Sequence, residues 1–395
     1  FKQKTAYEML RSLVGSEMCI RDRYKVKRYR LSFSPDIVYG GAGYDAIWGA
    51  RGSGIFAFSD LLGNHQLIIF TNLQFDLQNS DYGITYAYLA NRMDYAFSAF
   101  HQARFLGLQN PTNPNFIDFF RFRLYGATLS AQYPLTRFDR FDFSLGYLTL
   151  SKENLDGTFG NESVGFFYPA ITFTHDDSRP FLYAPIAGTR YAVSLSGTAG
   201  SRVNFASILF DYRTYFNFAR YYSFVVRLSG AASVGGTPQN YFIGGTENWI
   251  NRQFENNTIP ISSVQDFIFT TPAIPLRGHN FNAQNGTRFA LINTELRFPF
   301  LQALPLGPIP IPLYYLMGTI FADAGVAWSD DSRLRLRFKD VPNGQTPYYN
   351  DLLAGVGWGI RTVFLGFVLR FDMAWAYYTQ GFSEPKYYIS LGGDF

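Results

Sequence analysis

Three residues in the second half of the sequence have the types and the spacing needed for a buried salt bridge. They are Arg277, Glu295 and Asp323. The guanidinium of an arginine is a planar fork of N–H donors that two carboxylates can bind in bidentate fashion, and a lysine would not replace it. Two carboxylates on neighbouring strands of one face would therefore form a forked acceptor for Arg277. The three residues predict an anchor for a loop, although ordinary, unpaired inward-facing charges remain the alternative.

Alternation along two segments places both carboxylates on the same face. In residues 292–297, Glu295 lies on the face opposite the apolar side chains, and in residues 320–325 the same holds for Asp323. Successive side chains of a strand point to opposite faces, so this pattern predicts that both carboxylates face inward.

Arg277 itself lies in the longest connection of the chain, from about Gly235 to Gly286. A connection of this length inside a compact domain is usually functional, and its apolar stretch at Phe267–Phe269 predicts that it folds back into the protein interior. Leu276 and His279 would flank the tip of this loop.

Two glycines accompany the predicted anchor. Gly278 would let the backbone turn tightly after Arg277, and Gly325 would leave room beside the ion pair.

Residues suited to catalysis or metal binding show no such organisation. The four histidines, His65, His101, His175 and His279, lack metal-ligand spacing, and the chain has one cysteine, Cys19. The triplet His175-Asp176-Asp177 could suggest a metal or acid–base site, but it falls where a strand enters a turn and such residues are normally solvated. We therefore expect a protein that is not an enzyme and needs no cofactor.

The elements that must position these residues are strands. The fold class predicted is all-β, a single antiparallel transmembrane β-barrel of sixteen strands, with the long loop between strands 11 and 12 folded into the lumen. Each strand is long enough to cross a bilayer, which takes about 9–11 tilted residues. The predicted strands are 37–48, 51–60, 64–76, 82–90, 92–105, 116–132, 138–150, 163–175, 188–199, 203–218, 221–234, 287–299, 313–328, 351–361, 363–377 and 386–395.

The lengths of the connections support a barrel with both termini in the periplasm. Connections after even-numbered strands are mostly short, such as Pro134–Arg137 and the single residue Thr362, whereas those after odd-numbered strands are mostly longer, such as Ser329–Asn350. Outer-membrane barrels have short periplasmic turns and long external loops. A soluble β-sandwich has no reason to sort its turns in this way.

Composition and the C-terminal strand point to the same compartment. Of the residues, 19% are aromatic, with 28 Tyr and 41 Phe, a load that suits the aromatic girdles of a membrane barrel. The net charge is +4 without a basic block, so no nucleic-acid partner is expected. The last strand ends on an aromatic residue, and its pairing with the first strand would form a seam. The residues predicted for this seam are Tyr387, Ile389, Leu391, Gly392, Gly393 and Phe395.

The start of the chain is set apart from the barrel. Residues 1–23 lack the alternation and are interpreted as a non-native scar or disordered segment, residues 24–36 as a linker or periplasmic lead-in, and residues 37–395 as the outer-membrane barrel.

Four motifs together resemble those of the BamA/TamA superfamily of outer-membrane insertases and two-partner secretion pores, over roughly residues 35–395. In the family the barrel has sixteen strands and the loop arginine is held by two acids. His279 stands where the loop motif of the family usually has Phe or Tyr. The stretch before the barrel in this sequence is too short for a POTRA module. The segment from Arg30 resembles the barrel start of a branch in which a TolB-like propeller precedes the barrel. The motifs are Leu276-Arg277-Gly278-His279, Phe321-Ala322-Asp323-Ala324-Gly325, Asn293-Thr294-Glu295 followed by Arg297-Phe298-Pro299, and a periplasmic turn motif of Asp177, Arg179, Pro185 and Gly188.

The resemblance implies a function in outer-membrane protein insertion or in protein translocation through a seam between the first and last strands. The partners implied are outer-membrane lipids, unfolded outer-membrane or secreted proteins as clients, and periplasmic or lipoprotein accessory subunits. Two alternatives remain open at the level of sequence: a passive outer-membrane pore, and a barrel that anchors an N-terminal periplasmic domain.

Overall fold

The computed structural model describes most of the chain. The described residues are 29–45, 49–74, 76–109, 117–155, 160–198, 202–257, 269–306, 311–329, 334, 352–364 and 367–392. Predictions for residues 1–28, for Phe267 and Ile268, and for Gly393 and Phe395 therefore concern positions outside the described residues.

The fold is all-β, as predicted, and is dominated by one sheet of eighteen strands. Two of these strands, β9 and β20, have only three and two residues. The strands of the sheet are β1 (Phe33–Asp45), β2 (Gly49–Asp60), β3 (His65–Gln74), β4 (Asp76–Tyr88), β5 (Asp94–Gln109), β6 (Ile117–Pro134), β7 (Asp139–Asn154), β8 (Glu162–Asp176), β9 (Arg179–Phe181), β10 (Ala184–Gly197), β11 (Phe205–Ala219), β12 (Tyr222–Gly235), β16 (Arg288–Leu306), β17 (Ile311–Trp328), β18 (Leu353–Phe364), β19 (Phe367–Tyr378), β20 (Gly381–Phe382) and β21 (Lys386–Leu391).

Neighbouring strands of this sheet pair antiparallel in chain order. The loop between β12 and β16 interrupts the chain but not the sheet, because these two strands pair directly, with Val225 opposite Glu295. At the two ends of the order, β1 pairs with β2 and β21 pairs with β19. The count of sixteen membrane-spanning strands and the closure of the barrel stay predictions.

The long loop is more regular than its sequence indicated. It carries a three-stranded sheet in which β13 (Asn240–Ile243) pairs parallel with β14 (Thr270–Ala273) and antiparallel with β15 (Gln284–Gly286). A 3₁₀ turn covers Glu255–Asn257. No helix within the described ranges is long and apolar enough to span a membrane.

Several predicted strand boundaries were wrong by a few residues. The predicted turn at Thr362 lies inside β18, where Thr362 pairs with Leu369. The first strand begins at Phe33 rather than at residue 37, and the fourth begins at Asp76 rather than at residue 82. The pairing of opposite strands decides such ends, because a residue remains in the ladder as long as its partner offers a hydrogen bond.

At the C-terminus β21 ends at Leu391, before the predicted end of the strand. Gly392 has a φ of +110°, a left-handed conformation that does not continue a strand.

The main sheet has an outer face rich in exposed apolar residues and an inner face on which the loop packs. In β16 the apolar side chains of Ile292 and Leu296 are exposed on one face, whereas the side chain of Glu295, on the other face, is buried. The same alternation holds in β17, with Ile320 exposed and Asp323 buried. The inner face is thus where the candidate site residues meet the loop.

Candidate functional site

The side chain of Arg277 lies at the centre of the site and is completely buried between the loop and the inner face. Its Nε donates to Asp323 Oδ2 at 2.7 Å and its Nη2 donates to Asp323 Oδ1 at 2.9 Å. Its Nη1 donates to Glu295 Oε1 at 2.7 Å. Arg277 is therefore bound bidentately by one carboxylate and singly by the other, and we call these three residues the arginine clamp.

The backbone and the ring beneath Arg277 add to the arginine clamp. The backbone N–H of Arg277 donates to Asp323 Oδ2 at 3.0 Å, so that one carboxylate holds both the main chain and the side chain of the loop tip. The guanidinium carbon lies 3.4 Å from the ring centroid of Phe321, a cation–π contact on the side facing the wall. Burial by itself would lower the pKa of Arg277, but the charges of Asp323 and Glu295 outweigh burial and raise this pKa above its usual value.

Further charged residues surround the clamp. Glu295 also accepts from Arg297 Nε at 2.8 Å and from Arg361 Nη2 at 3.0 Å. Asp372 lies 3.8 Å from Arg277 Nη1 and 3.5 Å from Arg370 Nε. Since Glu295 and Asp323 are committed to arginines, the cluster suits the fixing of a loop.

An amide links the clamp to the loop on its other side. Asn293 Nδ2 donates to Asp323 Oδ1 and to the carbonyl oxygen of Pro275, both at 2.8 Å. This residue fixes the orientation of Asp323 and holds the approach to the loop tip at the same time.

Glycines on strand β18 make room for the loop. A Cβ at Gly355 would lie 1.8 Å from the carbonyl oxygen of Arg277, and one at Gly357 would lie 2.6 Å from the Phe321 ring. A Cβ at Gly359 would lie 1.9 Å from Asp372 Oδ1. The three glycines alternate along one strand, so they form a groove on the inner face, in which Gly355 receives the loop tip and the other two leave room for the side chains of Phe321 and Asp372.

The two glycines predicted beside Arg277 behave differently. Gly278 has a φ of +94°, and a Cβ there would lie 2.7 Å from Ala376 N, so both its conformation and its position require glycine. At Gly325 the nearest atoms to a Cβ belong to Leu291 and Ala290. Gly325 therefore relieves crowding against β16 and not, as expected, beside the ion pair.

The loop tip also reaches β18 and the last strand. The buried hydroxyl of Tyr388 accepts from the backbone N–H of Gly278 at 2.8 Å and donates to the carbonyl oxygen of His279 at 3.0 Å. His279 Nε2 lies 2.9 Å from the carbonyl oxygen of Ala354, and Leu276 is buried in the core under the loop. The tip is thus bonded to β16, β17, β18 and β21.

The predicted turn motif lies in the connection between β8 and β10 and at the start of β10. The backbone N–H of Asp177 donates to the carbonyl oxygen of Thr189 at 3.0 Å, and the backbone N–H of Thr189 donates to Asp177 Oδ1 at 2.5 Å. Gly188 has a φ of +93°, and a Cβ there would lie 2.6 Å from the carbonyl oxygen of Asp177. The periplasmic location of this turn stays a prediction.

Two members of the turn motif point in different directions. Pro185 offers its carbonyl oxygen to Arg297 Nη1 at 3.3 Å and so touches the network around Glu295. Arg179, in β9, is exposed.

The comparison with protein families gives the class to which the chain belongs. A model of the Omp85 superfamily domain matches residues 71–395. The chain belongs to the Omp85 superfamily. The predicted resemblance to the BamA/TamA superfamily is thereby confirmed, and with it an outer-membrane β-barrel class of transporters and assembly factors.

Solved Omp85 structures share the fold at low sequence identity. BamA from Haemophilus ducreyi lacking POTRA domains 1–3 is 14% identical, with a TM-score of 0.59, over 92% of this chain and 71% of that one. CdiB from Escherichia coli is 13% identical, with a TM-score of 0.50, over 94% of this chain and 68% of that one. At these identities the likeness shows the fold alone. No curated protein sequence matches at a significant level.

Sequence reasoning found the core of this Omp85 site but missed its surroundings. Arg277, Glu295 and Asp323 come together, as their types and alternation predicted. Gly355, Gly357 and Gly359 were missed, although three glycines at a spacing of two on one strand are a signal for a groove.

The histidine triplet has a local structural role in this Omp85 chain. His175 Nδ1 lies 2.6 Å from Asp139 Oδ1, and its ring stacks on Tyr191. Asp176 accepts from the backbone N–H of Ser178. Within the described residues, no group of three or more His, Cys, Asp or Glu is arranged to hold a metal ion.

Proposed function

We propose that this chain assists the insertion and assembly of proteins in the outer membrane, or their translocation, at a seam between β1 and β21. The observation that carries the proposal is the arginine clamp, in which Arg277 is buried and bonded to both Glu295 and Asp323. A passive pore has no need to fix a long loop with a desolvated ion pair.

In this mechanism the clamp braces the wall next to the seam. Removing one member of a buried ion pair leaves an uncompensated charge and costs about 3–5 kcal/mol, so the clamp holds the loop tightly. Because the tip also bonds Tyr388 of β21, the clamp positions the last strand as well as the loop.

The driving force comes from strand pairing and burial in lipid, without a nucleotide. A sheet edge offers unpaired N–H and C=O groups that can pair with an extended incoming chain. Within the described residues β21 has six residues, and the left-handed Gly392 follows it. A short last strand gives a seam with few hydrogen bonds to open.

The partners proposed are outer-membrane lipids, unfolded outer-membrane or secreted clients, and periplasmic or lipoprotein accessory subunits. The apolar outer face, with residues such as Ile292, Ile320 and Phe367 exposed, supports contact with lipid. We propose that both termini lie in the periplasm, since the short connections lie at their end of the sheet.

The test is a reconstitution of the full chain in liposomes with an unfolded small outer-membrane barrel as client. Folding of the client is followed by its heat-modifiable gel migration, and ion conductance is recorded on the same preparation. We expect the wild type to accelerate client folding and Arg277→Ala to lose most of that acceleration.

Arg104→Ala is the matched control for this test. Arg104 also pairs with an aspartate of the wall, Asp81, but its side chain is 50% exposed. A steady conductance that Arg277→Ala leaves unchanged, with no acceleration of client folding by the wild type, would contradict the proposal and favour a passive pore.

A further inference from the structure

The last strand has a second edge that is already occupied. One edge of β21 pairs with β19, and the other is covered by residues Asn248–Asn251 of the long loop, here called the edge segment. Trp249 forms an antiparallel bridge with Ser390, so the edge segment runs as a neighbouring strand would.

The edge segment bonds the outward backbone groups of β21 one after another. Ile250 N donates to the carbonyl oxygen of Ile389 at 2.8 Å, and Leu391 N donates to the carbonyl oxygen of Asn248 at 3.4 Å. The side chain of Asn248 donates to the carbonyl oxygen of Leu391 at 3.2 Å. These contacts leave little of this edge free for another chain.

One side chain of the edge segment imitates a peptide unit. Asn251 Nδ2 donates to the carbonyl oxygen of Tyr387 at 3.1 Å, and Asn251 Oδ1 accepts from the backbone N–H of Ile389 at 3.1 Å. A side-chain amide carries the same N–H and C=O pair as the backbone, so it satisfies a strand edge as an incoming strand would.

The side chains of the edge segment follow the alternation of a strand. Trp249 is buried on the inner face, with its ring 4.6 Å from that of Tyr388 and 5.2 Å from that of Phe281. Ile250, the next residue, is 61% exposed and lies opposite Ile389 on the outer face. The surface therefore fits an antiparallel strand with an aromatic residue inward and an apolar residue towards lipid.

We propose that the edge segment is an internal competitor for the β21 edge, which any strand that pairs with this edge must displace. A backbone group can complete only one ladder, so the edge segment and another strand exclude each other at Tyr387–Leu391. The part of the proposal that concerns clients rests on the proposed function, whereas the occupation of the edge does not.

The first test measures occupation of the edge by amide hydrogen exchange resolved to single residues in Asn248→Ala/Asn251→Ala. The amides of Ile389 and Leu391 should exchange on the order of fivefold faster or more, because each loses a hydrogen-bond partner or the segment that supplies it. The amides of Tyr388 and Ser390 serve as the internal control, since they point towards β19. Unchanged exchange at Ile389 and Leu391 would overturn the proposal.

The second test locks the edge segment in place with a disulfide. Ile250→Cys and Ile389→Cys are introduced with Cys19→Ser, because directly opposite residues of an antiparallel pair have the spacing that a disulfide needs. The control disulfide, Leu195→Cys/Ile208→Cys, joins two opposite outward residues of β10 and β11 far from the seam.

In the liposome assay the oxidised lock should reduce the rate of client folding about tenfold or more, and reduction should restore it. The control disulfide should leave the rate unchanged in both states. Full activity of the oxidised lock would overturn competition at this edge. Failure of the wild type to fold the client would count against the proposed function alone, because the exchange experiment decides the occupation of the edge independently.

Discussion

Two regions of the inner face carry the same kinds of residues in different surroundings. Between β4 and β5, Arg104 pairs with Asp81 at the wall surface at 2.8 Å, and the arginine side chain is half exposed. Along β16–β19, the charges around Arg277 are covered by the loop and almost fully buried.

The difference shows that the sheet provides the charged side chains, whereas burial under the loop sets how much each ion pair contributes to stability. An exposed ion pair contributes little, because water competes for both partners and salt screens them. The same pair without water becomes costly to break, since either partner alone would be left as a buried charge.

The largest effect is expected from breaking the buried ion pair between Arg277 and Asp323. Arg277→Ala should lower the free energy of unfolding by about 3–5 kcal/mol, because Asp323 loses its bidentate partner inside a buried site. Urea unfolding of the membrane-embedded protein, followed by heat-modifiable migration, measures this change. Protease sensitivity of the loop reports whether the tip has left the wall, and a protected loop in this variant would show that the clamp does not hold it.

A smaller effect is expected from filling the groove that receives the loop tip. Gly355→Ala should cost roughly 1–3 kcal/mol, because the added methyl group would overlap the carbonyl oxygen of Arg277 and force the backbone to shift. Gly41→Ala is the matched control, since a Cβ at Gly41 in β1 meets nothing within 4 Å. Equal unfolding midpoints of the two variants would show that the groove tolerates a side chain.

The link between the loop tip and the last strand should respond to the loss of one oxygen atom. Tyr388→Phe should destabilise the protein by about 1–2 kcal/mol, because the buried Gly278 N–H loses its acceptor and the His279 carbonyl keeps only its bond from the Gly245 N–H. The neighbouring Tyr387→Phe should have almost no effect, since Tyr387 is 50% exposed on the outer face. Thermal unfolding of both variants under identical conditions separates the two outcomes.

The smallest effect is expected from breaking the exposed ion pair between Arg104 and Asp81. A double-mutant cycle on Arg104 and Asp81 should give a coupling of only about 0.2–1 kcal/mol, and this coupling should fall as salt is added. The corresponding cycle on Arg277 and Asp323 should give a clearly larger coupling that salt changes little. Couplings of similar size would mean that the loop does not exclude water from the clamp.

The faces of the strands could be predicted from sequence because a strand has a side-chain period of two. That period placed Glu295 and Asp323 on the inner face without any knowledge of their partners. It could not show that Asp372 approaches Arg277, because that contact depends on how β19 lies beside β18 and on where the loop descends.

The occupant of the glycine groove and the edge segment could not be predicted from the sequence for a related reason. A glycine such as Gly355 marks the absence of a side chain, and the absence has meaning only when the occupant of the space is known. In the sequence Asn248 and Asn251 look like ordinary loop residues. Their role becomes visible only in the structure, which places them next to the edge of β21. The left-handed Gly392 that ends β21 is likewise a matter of local dihedral angles rather than of residue pattern.

The role of Asn251 has a kinetic consequence. Its side-chain amide bonds Tyr387 and Ile389, and its Oδ1 also accepts from Trp249 Nε1 at 2.7 Å. A single rotation about the χ1 bond of Asn251 therefore releases three hydrogen bonds together, without any movement of the backbone. The opening of this edge can therefore begin with a change of one side-chain rotamer, which is a smaller movement than the peeling away of a paired strand.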